Sequence, residues 1–476
     1  SETSTFSFKM PRYAELLMDT YIVITLPHIW SPIYHPSRQA NLNTDESMSE
    51  LDTSCFTDDY PVAAYAMSPG QRLARKLVLA RMEHIGYGQL SISDGYGRKI
   101  FAATEGRGAL SSRIKVSDGR FYTSLALGGA VGAAEAYMQG YWNTDDLTGL
   151  IRLLVRNRNV LENLDGGTAR LSAPLRKALH WINGNTKSGS RKNISAHYDL
   201  GNDFFSLWLD QSMMYSAAIF EHPGATLEQA SAAKLDRICQ KLELGPEDSV
   251  MEIGTGWGGF AIHAANHYGC KVTTTTISRE QYEFARARVA EAGLEDRITL
   301  LLKDYRDLEG QFDKLVSIEM IEAVGHKYLD TYFSRCASLL KPGGMMALQA
   351  ITIADQRYDR ALKSVDFIQR YIFPGGFLPS VTAMLNSISS QTDMRLFHME
   401  DIGEHYATTL RHWRERFNQQ LTRIRGMGYS EEFLRMWEYY YCYCEGAFLE
   451  HAIGNVQMLM VKPESRRTPL VPSLLR

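Results

Sequence analysis

The chain has 476 residues, 45 % of them hydrophobic and 22 % charged, with a formal net charge of −3. That length fits two to four domains at roughly 100–200 residues each; the hydrophobic share fits a real core, and near-neutrality leaves no global case for nucleic-acid binding. The six cysteines, at 55, 239, 270, 336, 442 and 444, are scattered and form no zinc-type pair, so they read as thiols of a reducing, cytosolic compartment and imply no metal site. No run is long enough to span a bilayer. The short apolar stretch 21–30, which carries Pro27 and His28, does not read as a signal peptide.

Residues 1–68 mix Ser, Thr, Asp and Pro with short apolar runs and no sustained period, the pattern of an irregular extension. A smaller α+β domain is expected over 69–182. It opens on a basic amphipathic helix at 71–85 with Arg72, Arg75, Lys76 and Arg81. Short strands and glycine turns follow to about Phe121, then a small-residue helix over 128–142 that ends in Tyr141 and Trp142. Residues 150–192 hold nine basic side chains, among them Arg152, Arg156, Arg158, Arg170 and Lys192, against Glu162 and Asp165. Leu153, Leu154 and Val155 supply an apolar side. Such a segment is either a solvated face or a docking surface for anionic lipid, where each basic residue near the headgroups contributes about 1 kcal/mol. Residues 183–193 read as a flexible linker.

From 194 to 476 an α/β rhythm takes over. Strands are expected at 249–253, 271–276, 298–302, 312–318 and 345–353, with helical patterns between them. That alternation implies a parallel sheet with helices on both faces and a ligand at the carboxyl ends of the strands. The first of these strands ends in Glu252 and opens into the turn Gly254-Thr-Gly-Trp-Gly-Gly259. Glycines there let the backbone approach a ligand that a Cβ would exclude. By itself the pattern also describes a dinucleotide site or a tight structural turn. Two details favour S-adenosylmethionine (SAM). Glu252 stands two residues before the first glycine, where methyltransferases carry an acid near the methionine end of the cofactor. The next strand ends in threonines rather than in the acid that an NAD ribose wants. Ser278-x-x-Gln281 reads as a capping box, and Gln281 stands where an amide can bond a ribose hydroxyl. Asp304 and Tyr305 follow the third strand, placed to accept from an adenine amino group and to stack on the base.

His197-Tyr-Asp-Leu-Gly-Asn-Asp-Phe-Phe205, Met214-Tyr-Ser-Ala-Ala-Ile-Phe220, the Glu252–Gly259 loop, Thr276-Ile-Ser-x-x-Gln281, Phe373-Pro-Gly-Gly-Phe-Leu-Pro-Ser380 and His405-Tyr-Ala-Thr-Thr-Leu-x-x-Trp413 resemble the cyclopropane fatty acid synthases over about 193–462. Ser317-Ile-Glu-Met-Ile-Glu-Ala-Val-Gly-His326 and Trp437-Glu-Tyr-Tyr-Tyr-x-Tyr-Cys444 are similar to the plant-type branch. The resemblance implies a class I SAM-dependent methyltransferase fold, Rossmann-like, behind a smaller N-terminal lipid-binding domain. It implies transfer of a methylene group from SAM to a cis double bond of a phospholipid acyl chain, with bicarbonate as the base. An anionic phospholipid bilayer as partner, a homodimer and a peripheral place on the inner membrane face go with it. The family's cofactor contacts carry over to Tyr215, Ser216, Glu252, Gly254, Thr255, Gly256, Trp257, Gly258, Thr276, Ile277, Ser278, Gln281, Asp304 and Tyr305. Its bicarbonate contacts carry over to Ala217, Glu322, Gln349 and Tyr406.

An unactivated alkene attacks a sulfonium methyl only when held in line at roughly 3–3.5 Å, and the resulting carbocation must be kept from water. Phe367, Tyr371, Phe373, Tyr439, Tyr440 and Tyr441 are candidates for aromatic walls that attract a cation, although core packing is the commoner job of such residues. Two positions depart from the bacterial pattern: Ala217 stands where a cysteine follows Tyr-Ser, and Gln349 replaces a histidine. Glu319 is an additional acid, able either to assist as a base or to repel an anion. Three rival readings remain: a methyl- or methylene-branching enzyme of the same fold, a small-molecule N-methyltransferase, and a non-catalytic membrane- or SAM-binding protein.

Overall fold

Ser68 starts the first helix, α1 (Pro69–Met82), through a capping box: its hydroxyl accepts from the Gln71 N–H, and the Gln71 side chain accepts from the Ser68 N–H. The computed structural model describes residues 65–103, 110–159 and 201–468. The expected linker at 183–193, the basic residues from Arg170 to Lys192, and residues 1–64 lie outside the described residues. Strands β1 (Gln89–Asp94), β2 (Gly97–Ala102) and β3 (Ser111–Val116) follow α1, with β1 antiparallel to β2 and parallel to β3. Helix α2 (Arg120–Met138) already includes Phe121, where strands and turns were expected, and it is interrupted at Gly129 (φ 58°, ψ −140°). Strand β4 (Trp142–Asn143) completes a sheet of order β2-β1-β3-β4. Asp146 caps α3 (Leu147–Arg156), accepting from the Gly149 N–H, and the helix buries Leu150, Ile151 and Leu153.

The second sheet is built by 201–468. Helix α4 (Leu227–Lys241) leads into β5 (Ser249–Ile253), α5 (Gly259–Tyr268), β6 (Lys271–Thr276), α6 (Arg279–Glu291), β7 (Ile298–Leu302) and β8 (Phe312–Ile318). Then come α7 (Leu329–Ser338), β9 (Leu340–Ile353), α8 (Val381–Gln391), β10 (Arg395–Asp401), α9 (Gly403–Gln419), α10 (Glu431–Leu449) and β11 (Ile453–Val461). The strand order is β10-β11-β9-β8-β5-β6-β7. The five expected strands are present and mutually parallel. Two further strands were not read from the sequence: β11 runs antiparallel between β9 and β10. The chain leaves β5 toward β6 and β7, then returns to place β8 on the other side of β5. This reversal is the switch point at which an open α/β sheet receives its ligand.

The smaller sheet region is fastened to α10 by polar contacts, one of them buried. Arg435 donates to the carbonyls of Tyr137 (2.5 Å) and Trp142 (3.0 Å), and Thr148 donates to Glu445 (2.9 Å). Arg152 pairs with Glu450 at 2.7 Å, and Arg156 pairs with the same carboxylate. These two arginines, expected on a solvated face or a lipid-docking face, are therefore committed to the end of α10. No helix among the described residues is long and apolar enough to cross a membrane.

Candidate active site

Glu252, next to last in β5, is almost fully buried and accepts from the Thr274 hydroxyl at 2.5 Å; the Thr274 hydroxyl in turn lies 2.7 Å from the Thr255 hydroxyl. Burial pushes the Glu252 carboxyl up to about 8, against the pull of Thr274 and Lys234. The glycine turn then hangs from β6, because the N–H groups of Gly254 and Thr255 both donate to the Thr275 carbonyl at 3.0 Å. Gly256 has φ 53°, a left-handed backbone, and a Cβ there would meet no protein atom within 4 Å. That open space belongs to a cavity. Gly259 needs its missing side chain for the opposite reason: a Cβ would lie 2.6 Å from the Met214 sulfur and 2.8 Å from the Ser212 carbonyl. Trp257 is held by a bond from its indole N–H to Asn202 (2.6 Å) and packs on Phe205.

Ser278 caps α6 as expected, accepting from the Gln281 N–H. The Gln281 side chain does not reach back to the cap; it accepts from the Thr276 hydroxyl at 2.9 Å. Asp304 accepts from the Arg306 guanidinium at 2.7 Å on both oxygens. The Tyr305 ring meets Tyr332 edge-on, and its hydroxyl is buried without a hydrogen-bond partner. Tyr215 packs among Phe205, Trp208 and Trp413, and its hydroxyl donates to Tyr440 at 3.1 Å. Ser216 accepts from the ammonium of Lys234, a fully buried lysine of α4, at 2.9 Å. Burial lowers Lys234 to about 8, with Glu319, Asp210 and Glu252 opposing the fall.

The acids after β8 form a pair with unlike surroundings. Glu319 has φ 48°, and its N–H donates to the Gln349 carbonyl at 2.8 Å. Its Oε1 accepts from the Ala217 N–H (3.0 Å), Gln349 Nε2 (2.8 Å) and Asn455 Nδ2 (2.6 Å). Gln349 is oriented by Gln457, whose side-chain N–H donates to the Gln349 side-chain amide oxygen at 2.9 Å. Glu322 accepts from the Ile351 N–H at 2.6 Å on one oxygen, while the other is buried with no partner. Burial, followed by the charge of Glu319, pushes the Glu322 carboxyl up to about 8. Tyr406, buried in α9, has its hydroxyl pushed well above its ordinary value, by burial first and then by Glu319. Asn455 and Lys234 were not among the expected site residues. The signal for Asn455 is two polar residues, Asn455 and Gln457, at alternate positions of the apolar run that forms β11; Lys234 left no signal in the pattern of α4.

These groups meet on one cavity of about 770 Å³. Its polar end holds Glu252, Gly254, Thr255, Gly256, Trp257, Thr276, Ile277, Gln281, Asp304 and Tyr305, with Tyr215, Ser216, Glu319, Glu322 and Tyr406 beside them. Gly258, Ser278, Ala217 and Gln349 do not line it. Phe367, Phe373, Tyr439 and Tyr440 are on the wall, whereas Tyr441 is turned into the Trp208–Phe417 core and Tyr371 donates to Glu135 at 2.7 Å. The other end runs into the smaller sheet region, between apolar side chains such as Ile92, Leu125, Val131, Leu150 and Leu154.

The mycolic acid cyclopropane synthetase family matches residues 185–458. The chain is 38 % identical over 352 residues to the tuberculostearic acid methyltransferase UfaA1 of Mycobacterium tuberculosis, spanning 70 % of this chain and 79 % of that protein. It is 39 % identical over 348 residues to the cyclopropane-fatty-acyl-phospholipid synthase of Escherichia coli K12, spanning 72 % and 85 %. The solved structure of the mycolic acid cyclopropane synthase CmaA1 with SAH and CTAB superposes with a TM-score of 0.53 at 31 % identity, covering 57 % of this chain and 98 % of that one. The chain belongs to the mycolic acid cyclopropane synthetase family and is a SAM-dependent methyltransferase of the class I fold.

Proposed function

We propose that the protein transfers a one-carbon group from SAM to a cis double bond of a phospholipid acyl chain and closes it to a cyclopropane. One observation carries this reading: a single cavity joins the glycine turn, the Glu319–Glu322 pair and an apolar channel into the smaller sheet region. A small amine would not need that channel. A fatty chain does, because each buried CH2 contributes about 0.8 kcal/mol.

The residues present suit the cofactor. Glu252 would take its amino group, whose positive charge offsets the cost of ionising a carboxyl held at about 8; Gln281 would take the ribose, and Asp304 and Tyr305 the adenine. The clear space at Gly256 admits the cofactor backbone. Bound SAM supplies an electrophilic methyl group. The channel holds the alkene in line with it, and alignment of this kind lowers barriers by about 7–11 kcal/mol in well-oriented cases. Phe373, Tyr439 and Tyr440 present rings to the developing cation, an attraction of about 2 kcal/mol when desolvated, and they offer no lone pair as nucleophilic as water.

The bilayer reading rests on the basic composition of 150–192. With Arg152 and Arg156 occupied by Glu450, it falls to Arg158, at the cavity wall, and to the basic residues beyond it. A peripheral place on the inner membrane face and a homodimer go with the family reading. A branched product is the second reading, favoured by the identity to a tuberculostearic acid methyltransferase.

The test uses full-length protein, trideuteromethyl-SAM and vesicles of cis-unsaturated phospholipid, with methyl esters analysed by mass spectrometry before and after mild hydrogenation. A product that keeps two deuteriums and resists hydrogenation is the ring. One that takes up hydrogen is a methylene branch, and a saturated branch keeps its label without a ring. Absence of labelled lipid, with SAM still bound, overturns the proposal.

A further inference from the structure

We infer that Glu319 is the base of this reaction, a protein carboxylate standing where the family resemblance puts bicarbonate. The inference rests on the function proposed above and concerns where the last proton goes. Bicarbonate would need the Ala217 N–H, Gln349 and Tyr406. In this structure the first two donate to Glu319 Oε1 at 3.0 and 2.8 Å, joined by Asn455 at 2.6 Å. Ala217 and Gln349 are 0 % and 1 % exposed and do not line the cavity, whereas Glu319 does. A free anion in the cavity would meet the Glu319 carboxylate before it met those donors, and like charges repel. The residues present therefore do not fit bicarbonate.

They do fit a built-in base. Glu319 sits at the carboxyl end of β8 with φ 48°, a backbone that costs a non-glycine residue about 1–3 kcal/mol and persists only where the surroundings over-determine it. Its own N–H is tied to the Gln349 carbonyl. All three N–H donors end on Oε1, and the Tyr406 hydroxyl also interacts with this carboxylate. Glu319 lines the cavity with Tyr406 and Glu322 on the same wall. One oxygen is thus anchored while the carboxylate still borders the reacting space, at a depth where Lys234 supplies a buried opposite charge. The atoms balance without a further reactant. When the alkene has bonded to the methyl carbon and the carbon–sulfur bond has broken, the positive charge rests on the chain. Glu319 takes one proton from the new methyl carbon, the electron pair of that C–H bond closes the third side of the ring, and the protonated Glu319 later gives its proton to solvent. A carboxylate with one oxygen held by three donors is a poor nucleophile toward the cation, which favours proton removal over trapping.

The test uses full-length protein in buffer stripped of carbon dioxide, with 13C-bicarbonate as the probe. By NMR titration, wild type should show no saturable bicarbonate binding, and Glu319→Ala, whose donors are released, should bind it. In the turnover assay, wild type should be unchanged within about twofold by bicarbonate removal or addition. Glu319→Gln should lose about 10²–10⁴-fold in kcat, the usual worth of a general base, Glu319→Asp should fall between, and formate or bicarbonate should partly restore Glu319→Ala. SAM titration of each variant reports that its fold is intact. Saturable bicarbonate binding by wild type, bicarbonate-dependent wild-type turnover, or near-normal kcat in a SAM-binding Glu319→Gln would each overturn the assignment. Should wild type act on no lipid at all, the proposed function fails, and the bicarbonate titration still decides whether these donors belong to Glu319.

Discussion

Glu322 allows the carboxyl pair to be tested without any substrate. Its carboxyl is moved from 4.5 to about 8 by burial and then by the charge of Glu319. In the unfolded chain the group ionises near 4.5; in the folded protein it keeps its proton up to about 8. Between those values the folded state binds the additional proton, so the group's contribution to stability is complete below the unfolded value and is lost as pH rises through 8. At about 1.36 kcal/mol per pH unit, the loss from pH 6 to pH 8 is about 2–3 kcal/mol. Glu322→Gln removes the titration and keeps the shape. The stability of wild type relative to the variant should therefore fall by that amount between pH 6 and pH 8, and level off above. In thermal melts this is a change of about 5 °C in the difference of midpoints, at roughly 2 °C per kcal/mol for a domain of this size. Glu252 and Lys234 are also displaced to about 8, but they titrate in both proteins and cancel in the difference. Melts of both proteins across this pH range decide the matter. A constant difference would refute the account of Glu322 as the neutral member of the pair.

Three other outcomes are expected. Gly256→Ala adds a methyl group that touches no protein atom but stands in the cavity with φ 53°; stability should fall by about 1–2 kcal/mol, while calorimetry should show SAM bound at least about tenfold more weakly, and an unchanged affinity would remove the glycine turn from the cofactor site. Val131→Trp fills the apolar channel; kcat/KM for long acyl chains should drop about tenfold or more, with SAM affinity and activity on shorter chains better preserved, whereas equal losses on all chains would deny that the channel holds the chain. Binding to anionic vesicles should weaken steeply as salt is raised from low to physiological ionic strength, where the screening length shrinks to about 8 Å; equally tight binding to neutral vesicles at both would contradict the docking role given to 150–192.

What could be read from the sequence follows the range of the interactions involved. Strands β5 to β8 are short β-rich runs punctuated by glycine, aspartate and helical patterns, so they are visible locally. Strand β9 begins at Leu340, earlier than expected, because Pro342, Gly343 and Gly344 read as a turn although the strand runs through them. Strand β11 is buried almost throughout, so it lacks the alternation that marks a strand. The Ser278 cap was legible because its partner is three residues away, whereas Gln281 chose Thr276 over the cap, a choice that the spacing leaves open. Glu319 stood out as an additional acid. Ala217 and Gln349 stood out too, as bicarbonate contacts, but their bonds to Glu319 did not, since they and Asn455 reach it from three separate parts of the chain. The basic segment shows the same limit: composition counted Arg152 and Arg156, and only the fold reveals Glu450 beside them.

In the proposed reaction a lipid chain threads one cavity from the glycine turn into the smaller sheet region. A crystal structure with SAH and a cis-unsaturated phospholipid tests it most directly. The double bond should lie between the cofactor sulfur and Glu319, with the chain continuing between Leu125, Val131 and Leu154. A chain that leaves the cofactor by another route, or a lipid bound with no access to Glu319, would contradict it.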